Sequence, residues 1–313
     1  MDQVPFAFME RVVSVLPMDK DEDIRELFAP IGGLWETAAA DLEANYHYVH
    51  VGITTDENTI SISKSRPGQN EPQVFEEPDK YTLDLTVLID DYYSEGPPNV
   101  QAEPISEKRL KQICNLPSRG GISSSFVVES LPPRDSQVFD FGGLLRNIQA
   151  PFHTVYLRSC EGYSQDIEAF LRNLIPKRTC FRFFFTDTDL TPTSLELVMD
   201  AWDSWPLNGP KRTHGQFNIS GCSQKLTKAH LSRILNGWCE GRGGRRLLIP
   251  AISTESPETL DFWKTVGVEE PHWKVEGLSA ITRGDAQLIH QKTGTTIGVF
   301  YWKFNGGLSF DVK

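Results

Sequence analysis

The chain has 313 residues, 39% hydrophobic and 23% charged, a composition that supports one or two globular domains and excludes a disordered polymer. Its net charge of −11 excludes the broad positive field of a non-specific nucleic-acid binder. Apolar runs such as Phe183 to Phe185 and Leu247 to Ile249 are too short to cross a bilayer, and the opening residues lack the basic start and apolar core of a secretory signal, so a cytoplasmic or nuclear location is expected.

Residues 1–45 read as a helical leader. Phe6, Met9, Val13 and Leu16 fall near helical spacing after Pro5, which suits a first turn, and Pro17 should end that helix. A second helix is expected from Asp21 to Phe28. A third, from Leu34 to Leu42, has Trp35, Ala38, Ala39 and Leu42 along its apolar side. Ten acids stand against three bases in this leader, so it holds seven of the eleven net negative charges.

Residues 46–150 read as β-rich. Tyr48 to Ile53 and Thr59 to Ser63 alternate at period two around a polar stretch that suits a hairpin loop, and Tyr81 to Ile89 makes another strand. Ser106 is placed to cap a helix running to Cys114.

Residues 151–313 show the chain's one internal regularity. Strands are expected at His153 to Leu157, Cys180 to Phe185, Gln216 to Ile219 and Arg246 to Ile249, each followed by an amphipathic helix: Ser164 to Leu174, Thr193 to Trp205, Thr227 to Trp238 and Pro257 to Val266. The strand starts lie 27, 36 and 30 residues apart. Spacings of that order suggest stacked units, and strand–helix alternation implies a parallel sheet, so the fold class expected is α/β with a parallel, solenoid-like C-terminal sheet. Ile297 to Phe304 and Leu308 to Val312, joined by Asn305-Gly306-Gly307, read as a closing hairpin.

These elements carry few motifs of recognisable chemistry. There is no G-x-S-x-G, no H-E-x-x-H and no Walker-type G-x-x-x-x-G-K-[ST]. His47 and His50 fall on opposite faces of a strand. Gly241 to Arg246 begins like a dinucleotide fingerprint but precedes a strand instead of joining a strand to a helix. Asp187-Thr188-Asp189 starts like a calcium loop and lacks the downstream Gly and Glu. The five cysteines form no CxxC pair and read as buried thiols. No catalytic residue, cofactor or metal is expected.

The opening Val4-Pro5-Phe6-Ala7-Phe8-Met9-Glu10-Arg11-Val12-Val13-Ser14-Val15-Leu16, followed by Leu34-Trp35 and then a strand, resembles the leader of the divergent F-box-like proteins expanded in nematodes. Val4-Pro5 takes the place of the usual Leu-Pro, and Trp35 that of the late Trp. Asp189-Leu190-Thr191, Trp202 and Trp238 are similar to positions in the F-box-associated or leucine-rich-repeat-like regions of that group. The resemblance implies that Val4, Pro5, Phe6, Met9, Val13, Leu16 and Trp35 dock a Skp1-like adaptor of a cullin–RING ubiquitin ligase. It implies that the later region recruits a protein substrate.

Stacked strand–helix units put helices on one face and leave strands on the other. Period-two alternation sends Tyr156, Arg158, Arg182, Phe184 and Asn218 to the strand side, a mixture of aromatic and arginine residues suited to protein recognition. Two other readings stay open. One is an α/β small-molecule enzyme with its site beyond the strand ends, where Arg158, Asp187, Ser220 and Ser253 stand. The other is a scaffold unrelated to ubiquitination.

Overall fold

The computed structural model describes residues 8–9, 12, 30–65, 73–74, 82–90, 102–114, 124–136, 139–177, 180, 182–204, 216–224, 227, 229–230, 232–233, 246–249, 273–276, 286–290, 296–302 and 307–312. The chain divides into two compact units, Met1–Thr154 and Val155–Lys313.

In the first unit Phe8, Met9 and Val12 are helical, and the helix α1 (Gly33–Asn45) turns Ala38, Ala39 and Leu42 inward. Strands β1 (His47–Thr54) and β2 (Thr59–Ser65) form the expected antiparallel hairpin. Asn58 takes the left-handed conformation at its turn (φ 49°), which asparagine tolerates better than most residues. The next long strand, β4 (Thr82–Asp90), pairs parallel to β1, and β6 (Ser125–Val128) pairs parallel to β4. Two-residue strands β3 (Gln73–Val74) and β5 (Glu103–Pro104) pair with β2, and the order within the unit is β3-β2-β1-β4-β6. Between β4 and β6 the chain runs through α2 (Glu107–Cys114), whose start is capped by the Ser106 hydroxyl accepting from the Arg109 amide at 3.3 Å. A second capped helix, α3 (Phe141–Asn147), follows β6; the Asp140 carboxylate accepts from the Gly143 amide at 2.7 Å. The core is the period-two apolar set of the strands: Val49, Val51 and Ile53, with Val87, Ile89, Phe126 and Val128.

The second unit begins with three neighbouring strands, β7 (Thr154–Arg158), β8 (Arg182–Thr186) and β9 (Gln216–Ser220). β8 and β9 run parallel, with Arg182 opposite Gln216 and Phe184 opposite Asn218. Helices α4 (Ser164–Leu174) and α5 (Pro192–Ser204) follow β7 and β8, as the spacing of apolar residues predicts. Val155, Leu157, Phe183 and Phe185 are buried from the strands, and Ile167, Phe170, Leu171, Val198, Met199 and Trp202 from the helices. Each such side chain contributes about 1.5–3 kcal/mol when withdrawn from water. Of the third expected helix, residues 229–230 and 232–233 are helical; the fourth, Pro257 to Val266, lies outside the described residues.

The fourth strand departs from expectation. β10 (Arg246–Ile249) does not extend a parallel sheet: it pairs antiparallel with β14 (Gly307–Val312). It belongs to a separate five-stranded sheet ordered β10-β14-β13-β12-β11. β11 (Trp273–Glu276), β12 (Ala286–His290), β13 (Thr296–Trp302) and β14 form an antiparallel meander, including the expected closing hairpin. The parallel sheet of strand–helix repeats therefore does not include β10. A short apolar strand looks the same in sequence whichever direction its partner runs, and the partner here is some sixty residues away. The molecule is α/β.

Candidate interaction site on the strand face

β7 and β8 alternate strictly. Val155 and Leu157, like Phe183 and Phe185, are fully buried, while Tyr156, Arg182 and Phe184 are half-buried and Arg158 is exposed. The Tyr156 and Phe184 rings lie together, centroids 6.2 Å apart and tilted by 40°. Sheet register places Asn218 beside Phe184. Four of the five residues expected on the strand side are thus on the less buried face of the two strands, and the fifth lies in register with them. The arrangement offers a pair of partly accessible aromatic rings bordered by arginines, a chemistry suited to a protein or peptide surface.

Beyond these strands a local structure recurs that the sequence does not announce. The chain leaves β7 through Arg158-Ser159-Cys160, β8 through Thr186-Asp187-Thr188 and β9 through Ser220-Gly221-Cys222. In each, the middle residue has a positive φ, 50°, 48° and 66° in turn. The next side chain is buried: Cys160, Thr188 and Cys222. The Ser159 amide donates to the Thr186 carbonyl at 3.0 Å, and the Ser223 amide to the Thr188 carbonyl at 3.3 Å. The Thr188 hydroxyl lies 3.1 Å from the Leu157 carbonyl and 2.9 Å from that of Thr186. Asp189 accepts from the Gly162 amide at 2.8 Å, and the Ser223 hydroxyl accepts from the Leu190 amide at 2.9 Å. Each corner is thereby tied to the next. The signal that could have found it is Cys-Thr-Cys at matched offsets after three strands.

Burial pushes the Cys160 thiol up to about 12, and Cys180 and Cys114 are also raised by burial. Cys114, Cys160, Cys180 and Cys222 are all buried free thiols. Cys114 also lines a groove of about 560 Å³ between α2 and α3, with Leu110, Phe139 and Leu144.

In the leader, Met9 is 1% exposed, so a partner cannot reach it in this conformation, and Trp35 is half-buried. Val4, Pro5, Phe6, Val13 and Leu16 lie outside the described residues. The large apolar side chains that are exposed among the described residues are Phe8 (55%), Ile31 (49%) and Leu34 (49%), all within residues 1–45. Helical periodicity gathers Met9 into the apolar stripe and leaves Phe8 off it, so spacing alone points to the residue that packs inward.

Polar clusters elsewhere have local roles. Arg233 binds Glu196, Asp200 and Asp203, and Glu168 is held below the usual carboxylate range by the Thr191 hydroxyl and by Arg172. His47 is buried and His50 exposed on β1, as strand geometry requires. Among the described residues no group of three or more His, Cys, Asp or Glu could hold a metal ion, and no helix is long and apolar enough to cross a membrane. No family model, no curated protein and no solved structure matches the chain.

Proposed function

We propose that the chain is a non-catalytic protein-interaction module, the substrate-recognition subunit of a Skp1–cullin–F-box type ubiquitin ligase. In this reading residues 1–45 dock the Skp1-like adaptor and the strand face around Tyr156 and Phe184 takes a protein substrate. The observation that carries it is the placement of the exposed large apolar side chains, Phe8, Ile31 and Leu34, in the segment that resembles an F-box. Exposed apolar side chains of this size are what a partner covers. The docking set is accordingly Phe8, Ile31 and Leu34, with Trp35 beside them in sequence, and Met9 supports the leader from inside.

The finer reading of the fold belongs to the same proposal. The three linked corners after β7, β8 and β9 are taken as successive turns of a short solenoid, with α4 and α5 on its helical side and Tyr156, Arg158, Arg182, Phe184 and Asn218 on its strand side. Such stacking supports a continuous recognition surface without any single deep cavity.

The test is co-purification of the full chain with recombinant Skp1 and cullin. The unaltered protein should retain the adaptor, and Phe8→Asp combined with Leu34→Glu should lose it while the far-UV CD spectrum is unchanged. Retention by the double variant, or no association of the unaltered chain, would overturn the adaptor assignment.

A further inference from the structure

Thr227 and His230 form a helix cap of unusual composition. The His230 amide donates to the Thr227 hydroxyl at 3.3 Å, and the Thr227 amide donates back to His230 Nδ1 at 3.1 Å. That reciprocal pair is the geometry of a capping box, with histidine in the position normally held by Glu or Gln. The second ring nitrogen, Nε2, lies 2.7 Å from the Glu196 carboxylate on α5. His230 itself is buried.

The two ring contacts fix the tautomer. A backbone amide is always a donor, so Nδ1 must present its lone pair to Thr227. The ring proton then resides on Nε2, where it donates to Glu196. Neutral His230 satisfies both neighbours at once. A second proton can only enter at Nδ1, where it faces the Thr227 N–H donor to donor. The same proton makes the Nε2–Glu196 bond charge-assisted.

Charged groups from two elements stand around the ring. From α5 come Glu196, which touches the ring, and Asp200 and Asp203, which bind Arg233. From the ring's own segment comes Arg233, whose guanidinium also reaches Glu196 at 3.0 Å. Three carboxylates surround one guanidinium, which leaves the cluster a net negative charge. The hydrogen bond from His230 already holds the Glu196 carboxyl below its ordinary range.

We propose that His230 is a proton-operated latch on this helix start. Neutral, it caps the helix through Thr227 and rests on Glu196; protonated, it releases the Thr227 amide and tightens onto α5. Acidification thus exchanges a helix cap for an ion pair, loosening the turn at 227 while keeping the segment tethered to α5.

The test is a pH titration of the ¹⁵N-labelled full chain by NMR, following the His230 ring nitrogens and the Thr227 amide. The ring should show the Nε2–H tautomer when neutral. The hydrogen-exchange protection factor of Thr227 should fall about fivefold or more with the same midpoint as the ring, the equilibrium counterpart of losing a cap. His230→Gln can accept from Thr227 and cannot titrate, so it should keep that protection throughout, whereas His230→Ala should lack it at every pH. The Nδ1–H tautomer in the neutral ring, a Thr227 amide indifferent to the ring's titration, or an unchanged pH dependence in His230→Gln would each overturn the latch.

Discussion

Gly221 and Gly162 both take left-handed backbone conformations, at φ 66° and 77°, yet a methyl group would meet different surroundings at each. At Gly162 it would point into open space. At Gly221 it would run into the Asp187 carboxylate and crowd the Asp187 amide nitrogen at 3.4 Å. Gly162→Ala should therefore cost about 1 kcal/mol, the backbone strain alone, and Gly221→Ala more, about 2–3 kcal/mol, as measured by urea denaturation. Thr188 makes a complementary case. Replacing it with valine keeps the shape but strips a buried hydroxyl from between two carbonyls, and a loss of about 1–3 kcal/mol is expected. These corner residues were the least legible in the sequence. Ser159, Asp187 and Gly221 share a backbone angle and almost no side-chain chemistry, so in residue types only the buried Cys160, Thr188 and Cys222 that follow them mark the repeat.

At the level of elements, β8 gives the clearest contrast. Phe183, Phe184 and Phe185 are identical in sequence terms, and only alternation tells them apart. Phe185→Ala should destabilise by about 3–5 kcal/mol because it opens a cavity in a closed core. Phe184→Ala, on the half-buried face, should cost far less in the same urea measurement and, on the proposed function, reduce capture of a protein substrate. The helices α4 and α5 are linked by Glu168, whose carboxylate accepts from Thr191 at the start of α5 and pairs with Arg172. Its folded-state acidity is strengthened, so the link is intact above the unfolded carboxyl's value of about 4.3 and disappears as pH falls through the lower folded value. Glu168→Gln should flatten the acid limb of a stability-versus-pH curve. Period-two and helical patterning made β1, β2, β8, α4 and α5 readable. Pairing was readable where a short turn dictates it, in the β1–β2 and β13–β14 hairpins, and where strand–helix alternation does, in the parallel β8–β9 pair. The parallel match of β4 to β1 and the antiparallel match of β10 to β14 depend on distant partners that no local window contains.

On the scale of the whole molecule, four buried thiols report on folding without any engineered probe. With its acidity suppressed to about 12, Cys160 is thiolate in only about one molecule in ten thousand at pH 8, and a thiol must ionise to react. Iodoacetamide at pH 8, read by residue-resolved mass spectrometry, should label Cys114 first, because that side chain borders the groove between α2 and α3. Cys160 and Cys180 should label only when urea opens the structure. Early labelling of Cys160 would mean that the second unit opens more readily than its packing implies.

The antiparallel pairing of β10 with β14 also has a consequence in time. On a ribosome the chain emerges from its first residue onward, and β8 can meet β9 as soon as residue 220 is clear. Among the described residues β10 lies at the end of its sheet and pairs with β14, so for that pairing Arg246–Ile249 must wait for Gly307–Val312 to be made. Until then its ladder groups have no place in that sheet and stand open to chaperones or to other nascent chains. Stalling synthesis before Gly307 should leave β7–β9 protected from protease and this segment cleavable.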